Sequence, residues 1–315
     1  MYLDHLQKTE HPMKLLRNAL LETFVTVADC GGFSEAQYAL GITQSAISIR
    51  IRDLEASLGY RLCDRGRGGF RLTERGETVY RRARSMLRSA RDFDAGLMEL
   101  RGTVTGDLRI GVADAVSSLP GLNLTQALQR FGARPNDVQL DITVASPAEL
   151  TQQLITGALH VAIAPFRNQI ADLEYEDLCQ EEHRLYCGAG HPLFTLQGQE
   201  SAPQDIAQYP LCQRSYDRLP LAGLAAGEPA ASAANMEALA MLIATGQYLG
   251  PLPAHFADAW VRGGRLREVN GPELRWVTTF HLATRRGQMH RRAISLFAED
   301  VRRSCQTPPA APGPG

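Results

Sequence analysis

Leu40-Gly-Ile-Thr-Gln-Ser-Ala-Ile-Ser-Ile-Arg-Ile-Arg-Asp-Leu-Glu-Ala-Ser-Leu-Gly59 is the stretch on which the reading of the chain turns. Gly41-Ile42 makes a turn, and Thr43 stands where a hydroxyl can cap the helix that follows. Ile47, Ile51, Leu54 and Leu58 recur at spacings of 4, 3 and 4, so one face of that helix is apolar and turned to a core. Gln44, Ser45, Ser48, Ile49 and Arg52 then point away from it. Upstream, Leu20, Leu21, Phe24, Val25, Val27 and Ala28 give a first amphipathic helix, and Gly31 to Leu40 a second, short one with Ser34 as its expected cap. Two short helices crossed by a tight turn, the second with small polar residues on its free face, suit the major groove of DNA. Gln44 can pair bidentately with adenine, and serines can reach bases or phosphates.

Downstream, Arg61 to Thr73 carries four Arg and three Gly and resumes as Phe70-Arg71-Leu72, which reads as a basic hairpin lying along a phosphate backbone. The charge distribution agrees. Between Arg50 and Arg91 there are twelve Arg against five acids, a surplus of seven positive charges on a chain whose net charge is -1. Such a block is the footprint of a local phosphate-binding surface. The candidate DNA contacts are Ser34, Thr43, Gln44, Ser45, Ser48, Ile49, Arg50 and Arg52 on the helices, with Arg65, Arg67 and Arg71 on the hairpin.

Leu21-x-x-Phe24, Ala36, Leu40-x-x-Thr43-Gln44-Ser45-Ala46-Ile47-Ser48, Ile51-x-x-Leu54-Glu55-x-x-Leu58-Gly59, Arg65 and Leu72-Thr73-x-x-Gly76 resemble, in order and without gaps, the helix-turn-helix signature of LysR-type transcription regulators. Gln37, Cys63 and Gly32 depart from that pattern, where Ala, Phe and Ser are usual. Gln37 and Cys63 concern packing rather than reading. The resemblance implies an N-terminal winged helix-turn-helix, a linker helix and a two-lobed, periplasmic-binding-protein-like α/β effector domain. It also implies a cytoplasmic, homo-oligomeric regulator that binds double-stranded promoter DNA and a small effector and acts on RNA polymerase.

After Thr73, itself a candidate cap, an uninterrupted helical pattern runs to Leu100. Val79, Ala83, Met86, Ala90, Phe93, Leu97 and Leu100 are spaced 4, 3, 4, 3, 4 and 3 within it. A heptad seam of this regularity favours a partner helix, the alternative being packing on its own domain. The resemblance implies the former, with dimers that assemble further into tetramers, and a two-fold dimer reads an interrupted palindrome.

The remainder alternates strand-like and helix-like stretches, which predicts a mainly parallel sheet with helices on its faces. Asp107–Ala113, Val138–Val144 and His160–Ala164 read as strands, with a helix near Leu119 to Phe131. Ser146-Pro147-Ala148-Glu149 reads as a capping box opening another. His160 stands where the resembled family frequently has Asp. Leu185 to Leu193, Asn235 to Gly246 and Leu249 to Pro253 resemble the second half of the family's effector domain, more loosely. Ligands of such domains lie between two lobes, near helix N-termini that favour anions. The candidate pocket residues are Asp114, Ala115, Ser146, Pro147, Phe166 and Arg167 from the first lobe, and Arg214, Tyr216, Asn235, Met236 and Gln247 from the second. The expected effector is a small metabolite of anionic or aromatic character.

The expected divisions are an extension over 1–13, the winged helix-turn-helix over 14–73, the linker helix over 74–101 and the effector domain over 106–305, after a Gly/Thr hinge at Gly102–Gly106. The first lobe is expected at about 106–175 and 282–305, the second at about 176–281. The Pro/Gly/Ala-rich tail over 306–315 is expected to be disordered. No apolar run is long enough for a signal peptide or a membrane span, so a secreted solute-binding protein is disfavoured and no membrane partner is expected. HExxH, GxSxG, GxGxxG and phosphate-loop motifs are missing, so no enzyme, metal or cofactor is expected. The six cysteines (30, 63, 179, 187, 212, 305) form no CxxC or zinc spacing and read as reduced thiols, with a redox pair among Cys179, Cys187 and Cys212 as the alternative.

Overall fold

The computed structural model describes residues 18–66, 69–100, 103–195, 200–216 and 228–305. The expected extension over 1–13 and tail over 306–315, Arg67 and Gly102 fall outside them. The chain divides into two units between Asp94 and Ala95.

The first unit holds α1 (Asn18–Asp29), α2 (Phe33–Leu40), α3 (Gln44–Leu58), β1 (Cys63–Gly66), β2 (Gly69–Leu72) and most of α4 (Glu74–Glu99). Phe24, Val27, Ile47, Ile51, Leu54 and Leu62 are its solvent-free centre. Thr43 caps α3 as expected, accepting from Ala46 N–H at 3.3 Å. Ser34 does not cap α2. The helix starts one residue earlier from an extended Gly32, because Phe33 is drawn into the core against Phe70, ring centroids 5.9 Å apart.

Two contacts fix the β-hairpin. The Glu55 carboxylate on α3 accepts from the backbone N–H groups of Leu62 (2.7 Å) and Cys63 (3.3 Å), so the reading helix carries the start of β1. Thr73 Oγ1 accepts from Gly76 N–H at 2.9 Å and donates to Arg61 O at 2.9 Å, capping α4 while tying it to the hairpin. The approach is so close that a Cβ on Gly76 would lie 1.9 Å from Leu62 O.

The second unit continues with β3 (Thr105–Val112), α5 (Leu124–Gly132), β4 (Asp137–Val144), α6 (Pro147–Ile155), β5 (Val161–Ala164), β6 (Leu173–Gly188), α7 (Pro203–Ile206), β7 (Cys212–Arg214), β8 (Ala231–Ala233), α8 (Met236–Ala244), β9 (Leu249–Pro253), α9 (Ala254–Arg262), β10 (Leu266–Glu268), β11 (Arg275–Arg285) and α10 (Arg292–Ser304). Its main sheet has the order β10-β6-β11-β5-β3-β4, with β9 also on β6. Only β3/β4 and β3/β5 are parallel, while β5/β11, β11/β6, β6/β10 and β6/β9 are antiparallel. The expected mainly parallel sheet is therefore mixed. The chain leaves the first lobe along β6 and returns along β11, and a return crossing must run antiparallel to the outward one.

The first-lobe core extends to Cys179 on β6 and resumes at Phe280 on β11, a few residues beyond the expected limits at 175 and 282. The β6/β11 register slips at that level, between Phe280 and His281. The second lobe has separate clusters around Leu185 and Leu249 and around Leu239 and Ile243. In the first lobe, α10 lies on α5 with the fully buried Asp300 held by both terminal nitrogens of Arg134, one at 2.7 Å.

His160 gains a physical account here. It is buried between Arg109 and Arg291. Its Nδ1 faces the Arg109 N–H at 3.2 Å, and its Nε2 lies 2.5 Å from Arg109 Nη2 and 2.9 Å from Arg291 Nη1. A neutral imidazole accepts at one nitrogen only, so donors on one side meet another N–H. A carboxylate accepts on both sides. His160→Asp is therefore expected to raise unfolding stability by about 1.5–3 kcal/mol, the range for a charged hydrogen bond. Denaturant unfolding at neutral pH measures it; a loss of stability would show that the imidazole is the better partner.

Candidate nucleic-acid interface and effector cleft

On α3 the buried residues are Ile47, Ile51 and Leu54, and the opposite face presents Gln44, Ser45, Ile49 and Arg52 to solvent, with Ser48 half-buried beside them. Thr43 and Ser45 hydroxyls meet at 2.9 Å at the start of this face. Ser34 is exposed in the first turn of α2, and Arg71 is exposed on β2 opposite Asp64. Arg50 is different: its Nη1 donates to the Thr23 hydroxyl at 3.1 Å, so this arginine braces α3 against α1 rather than standing on the free face. The Arg65 side chain and Arg67 lie outside the described residues. Tyr38, not singled out from the sequence, is 86 % exposed on α2. A lone aromatic in a short helix carries no periodic signal by which it could have been found.

The heptad seam divides. Val79, Ala83 and Met86 pack into the winged-helix core together with Leu87, because the first three turns of α4 form a wall of that core. Ala83 is buried there, while Val79 and Met86 stay half-buried, so this part of the stripe at least serves its own domain. Ala90 is half-buried. Phe93, Leu97 and Leu100 are 66 %, 47 % and 84 % exposed and continue the same stripe into solvent.

Between the lobes of the second unit lies a cleft of about 170 Å³, walled by Pro147, Ala148 and Thr151 of α6, Pro165 to Asn168 after β5, Arg214, Tyr216 and Thr278. Five expected residues line it: Pro147, Phe166, Arg167, Arg214 and Tyr216. Asp114 stands behind them, its Oδ1 accepting from Arg214 Nη1 (3.2 Å) and the Tyr216 hydroxyl (3.4 Å), its Oδ2 from Met236 N–H (2.6 Å). The other expected residues have structural work instead. Ser146 closes the capping box with Glu149, whose carboxyl is held below its usual range by those hydrogen bonds. Ala115 sits in a left-handed turn and packs on the second-lobe core. Asn235 caps α8, Met236 is core, and Gln247 lies past the far end of α8. Helix caps and pocket walls draw on the same residue types, so sequence alone does not separate them. Ala148, Thr151 and Thr278 escaped notice because contacts from β11 and from inside a helix carry no local motif, and Pro165 and Asn168 flank the expected Phe166 and Arg167.

A second polar tie between the lobes was also missed. The Ser118 hydroxyl lies 2.9 Å from His255 Nδ1, and His255 Nε2 is 2.9 Å from Glu181 Oε1. Glu181 Oε2 is 2.7 Å from His183 Nε2, whose ring stacks on Trp276. Burial pushes the Glu181 carboxyl up, but the two imidazole hydrogen bonds and their charge outweigh it and hold it at about 2. His183 is two residues from Glu181 on the same strand, but His255 and Ser118 come from distant segments, so the sequence offers no spacing that reveals the whole chain of contacts.

Residues 19–77 match the family model "Bacterial regulatory helix-turn-helix protein, lysR family", and residues 101–306 match "LysR substrate binding domain". The chain belongs to the LysR family of transcription regulators. It is accordingly a DNA-binding regulator with an effector-binding domain, in a family of regulators and not enzymes. The HTH-type transcriptional activator BauR of Pseudomonas aeruginosa is 35 % identical over 285 residues, covering 90 % of this chain and 93 % of that one. The SDS degradation transcriptional activation protein of a Pseudomonas species is 29 % identical over 306 residues, covering 92 % and 97 %. Among solved structures, full-length CbnR complexed with its target DNA has the same fold, with TM-score 0.66 and 22 % identity over 92 % of this chain and all of that one.

As a LysR-family effector domain, this one carries poorly activated thiols. Burial pushes Cys179 and Cys212 up to about 12 and Cys187 up to about 11. The thiolate is the reactive form, so the alternative of a redox pair among them loses its chemical basis. Among the described residues no helix is long and apolar enough to cross a membrane.

Two outcomes are expected. Iodoacetamide at about pH 8 should leave Cys179, Cys187 and Cys212 unmodified in the folded protein and label them after unfolding, as mapped by mass spectrometry. Glu181→Gln should lower thermal stability at neutral pH. Because the folded carboxyl is held below its ordinary value of 4.5, its contribution is present above that value and lost as pH falls towards about 2. The gap between wild type and variant should close over that window, and a pH-independent gap would contradict the assignment.

Proposed function

We propose that the protein reads an interrupted palindrome in promoter DNA as a homodimer, or as a pair of dimers, with α3 in the major groove and Arg71 along the backbone. The observation that carries this is the division of α3 into a solvent-free apolar face and an opposite face that presents Gln44, Ser45 and Arg52 to solvent, with Ser48 half-buried beside them. Gln44 is the residue suited to base reading; Arg52 and Arg71 suit phosphates. The partner helix packs on the distal half of the α4 stripe, Phe93, Leu97 and Leu100, since the proximal half serves the domain core. The outer strand β4 adds a second surface for assembly, with Leu140, Ile142 and Val144 exposed along one face of an edge strand.

The effector occupies the cleft between Pro147, Phe166, Arg167, Arg214 and Tyr216. Binding there shifts the two lobes between arrangements, and with them the placement of the linked dimers on DNA and their contact with RNA polymerase. An effector changes that equilibrium only by its differential affinity for the two arrangements.

DNase footprinting on the DNA immediately upstream of the protein's own gene tests the DNA reading. Protection over an interrupted palindrome is expected, with the Gln44→Ala protein losing about 1–3 kcal/mol of sequence discrimination and Arg71→Ala weakening all sequences alike. Uniform salt-sensitive binding without a footprint on any promoter fragment of the source genome would exclude specific reading. Phe93→Asp with Leu97→Asp should convert dimers to monomers in sedimentation; a dimer that persists would place the interface elsewhere.

A further inference from the structure

The cleft has a buried cation whose counter-ion comes from the opposite lobe. Arg214, 5 % exposed on β7, donates to the Asp114 carboxylate and to the Tyr216 hydroxyl, at 3.2 and 2.9 Å. The other Asp114 oxygen takes Met236 N–H at the start of α8, 2.6 Å away. A guanidinium, a phenol and a helix-start N–H converging on one carboxylate form a donor set that would hold a free carboxylate equally well. Asp114 follows β3 in the first lobe, while all three donors belong to the second. The neighbouring Ala115 has φ 63° and is the only non-glycine with positive φ among the described residues. A conformation that L-residues rarely adopt thus lies directly beside the residue that makes the tie.

The start of α6, which does line the cleft, is also filled by the chain itself, but locally, by Glu149 on Ser146 three residues away. Of these two helix-start contacts, the one made by Asp114 joins the two lobes. Replacing it by a singly charged ligand conserves the charge balance at Arg214 and leaves Asp114 to solvent. The small volume and the walls of Pro147, Pro165 and Phe166 accommodate a short apolar body attached to that charge.

We propose that Asp114 is a tethered competitor for the effector. A small monocarboxylate enters the cleft, its carboxylate takes over the donors from Arg214, Tyr216 and Met236, and the displaced Asp114 releases the tie between the lobes. This rests on the reading of the cleft as the effector site. A tethered group acts at an effective concentration on the order of millimolar or above, so the wild-type protein should bind such ligands weakly until the tether is removed.

The test uses the full chain as wild type, Asp114→Ala, Asp114→Asn and Asp114→Ala with Thr151→Trp, the last filling the cleft. Propionate, butyrate and benzoate are titrated calorimetrically against a chloride control of equal ionic strength. Asp114→Ala should bind at least one of them tenfold or more tighter than wild type, Asp114→Asn should also gain, and Thr151→Trp should abolish the gain. If Asp114→Ala folds poorly, as read by circular dichroism, the Asp114→Asn comparison decides alone. Equal or weaker binding by the Asp114 variants, or none by any protein, overturns the competitor. Wild-type binding that Thr151→Trp, made also in the wild-type background, removes would then leave the cleft reading standing. A tenfold gain that survives Thr151→Trp overturns both, since the ligand would sit outside the cleft.

Discussion

The pairing of β6 with β11 is the constraint on which the effector domain depends. These two strands, Leu173–Gly188 and Arg275–Arg285, run antiparallel through both lobes, and every other strand of the main sheet is attached on one side or the other of that pair. Ladder hydrogen bonds are cooperative along their length, whereas the level where the register slips, between Phe280 and His281, interrupts the ladder and the apolar cores alike. The lobes are therefore joined by backbone but packed separately. Just past this level on the second-lobe side, beyond Cys179 and Phe280, some side chains belong to neither core. Glu181 and its register partner Thr278 are such residues, one in the polar tie and one in the cleft wall.

Across that level the two polar ties both start from one short turn, Asp114 to Ser118. Asp114 reaches Arg214 and α8, and Ser118 reaches His255 on α9. Both contacts are hydrogen bonds of charged or partly buried groups, which are worth more than exposed ones but lose most of that worth if the partner withdraws. A turn held by such ties at both ends, with a left-handed alanine between them, is suited to two discrete arrangements rather than to gradual deformation.

In the DNA-reading unit the corresponding economy is in α4. Its first turns are a wall of the winged-helix core, and Gly76 allows them to lie against the hairpin so closely that no side chain fits. The same helical stripe then passes from intradomain packing to open solvent without a change in periodicity. A heptad pattern reports that a face is covered, not by what, and here one stripe serves two partners in succession.

Taken alone, the sequence determined what is local. The spacing of Ile47, Ile51 and Leu54 oriented α3, Thr43 and Ser146 announced their caps, and the heptads from Val79 to Leu100 announced one long helix, because helix periodicity and capping depend on residues three or four apart. The order of strands and helices in the first lobe was legible for the same reason. Tertiary structure decided the antiparallel return of β11, the bracing of α1 by Arg50, the packing of Val79, Ala83 and Met86 on their own domain's core, and which pocket candidates face the cleft. It alone brought Asp114 to Arg214 and Met236, Ser118 to His255, and His160 between Arg109 and Arg291. Those contacts join residues 51 to 137 positions apart, where no periodicity reaches and only the folded path of the chain sets the distance.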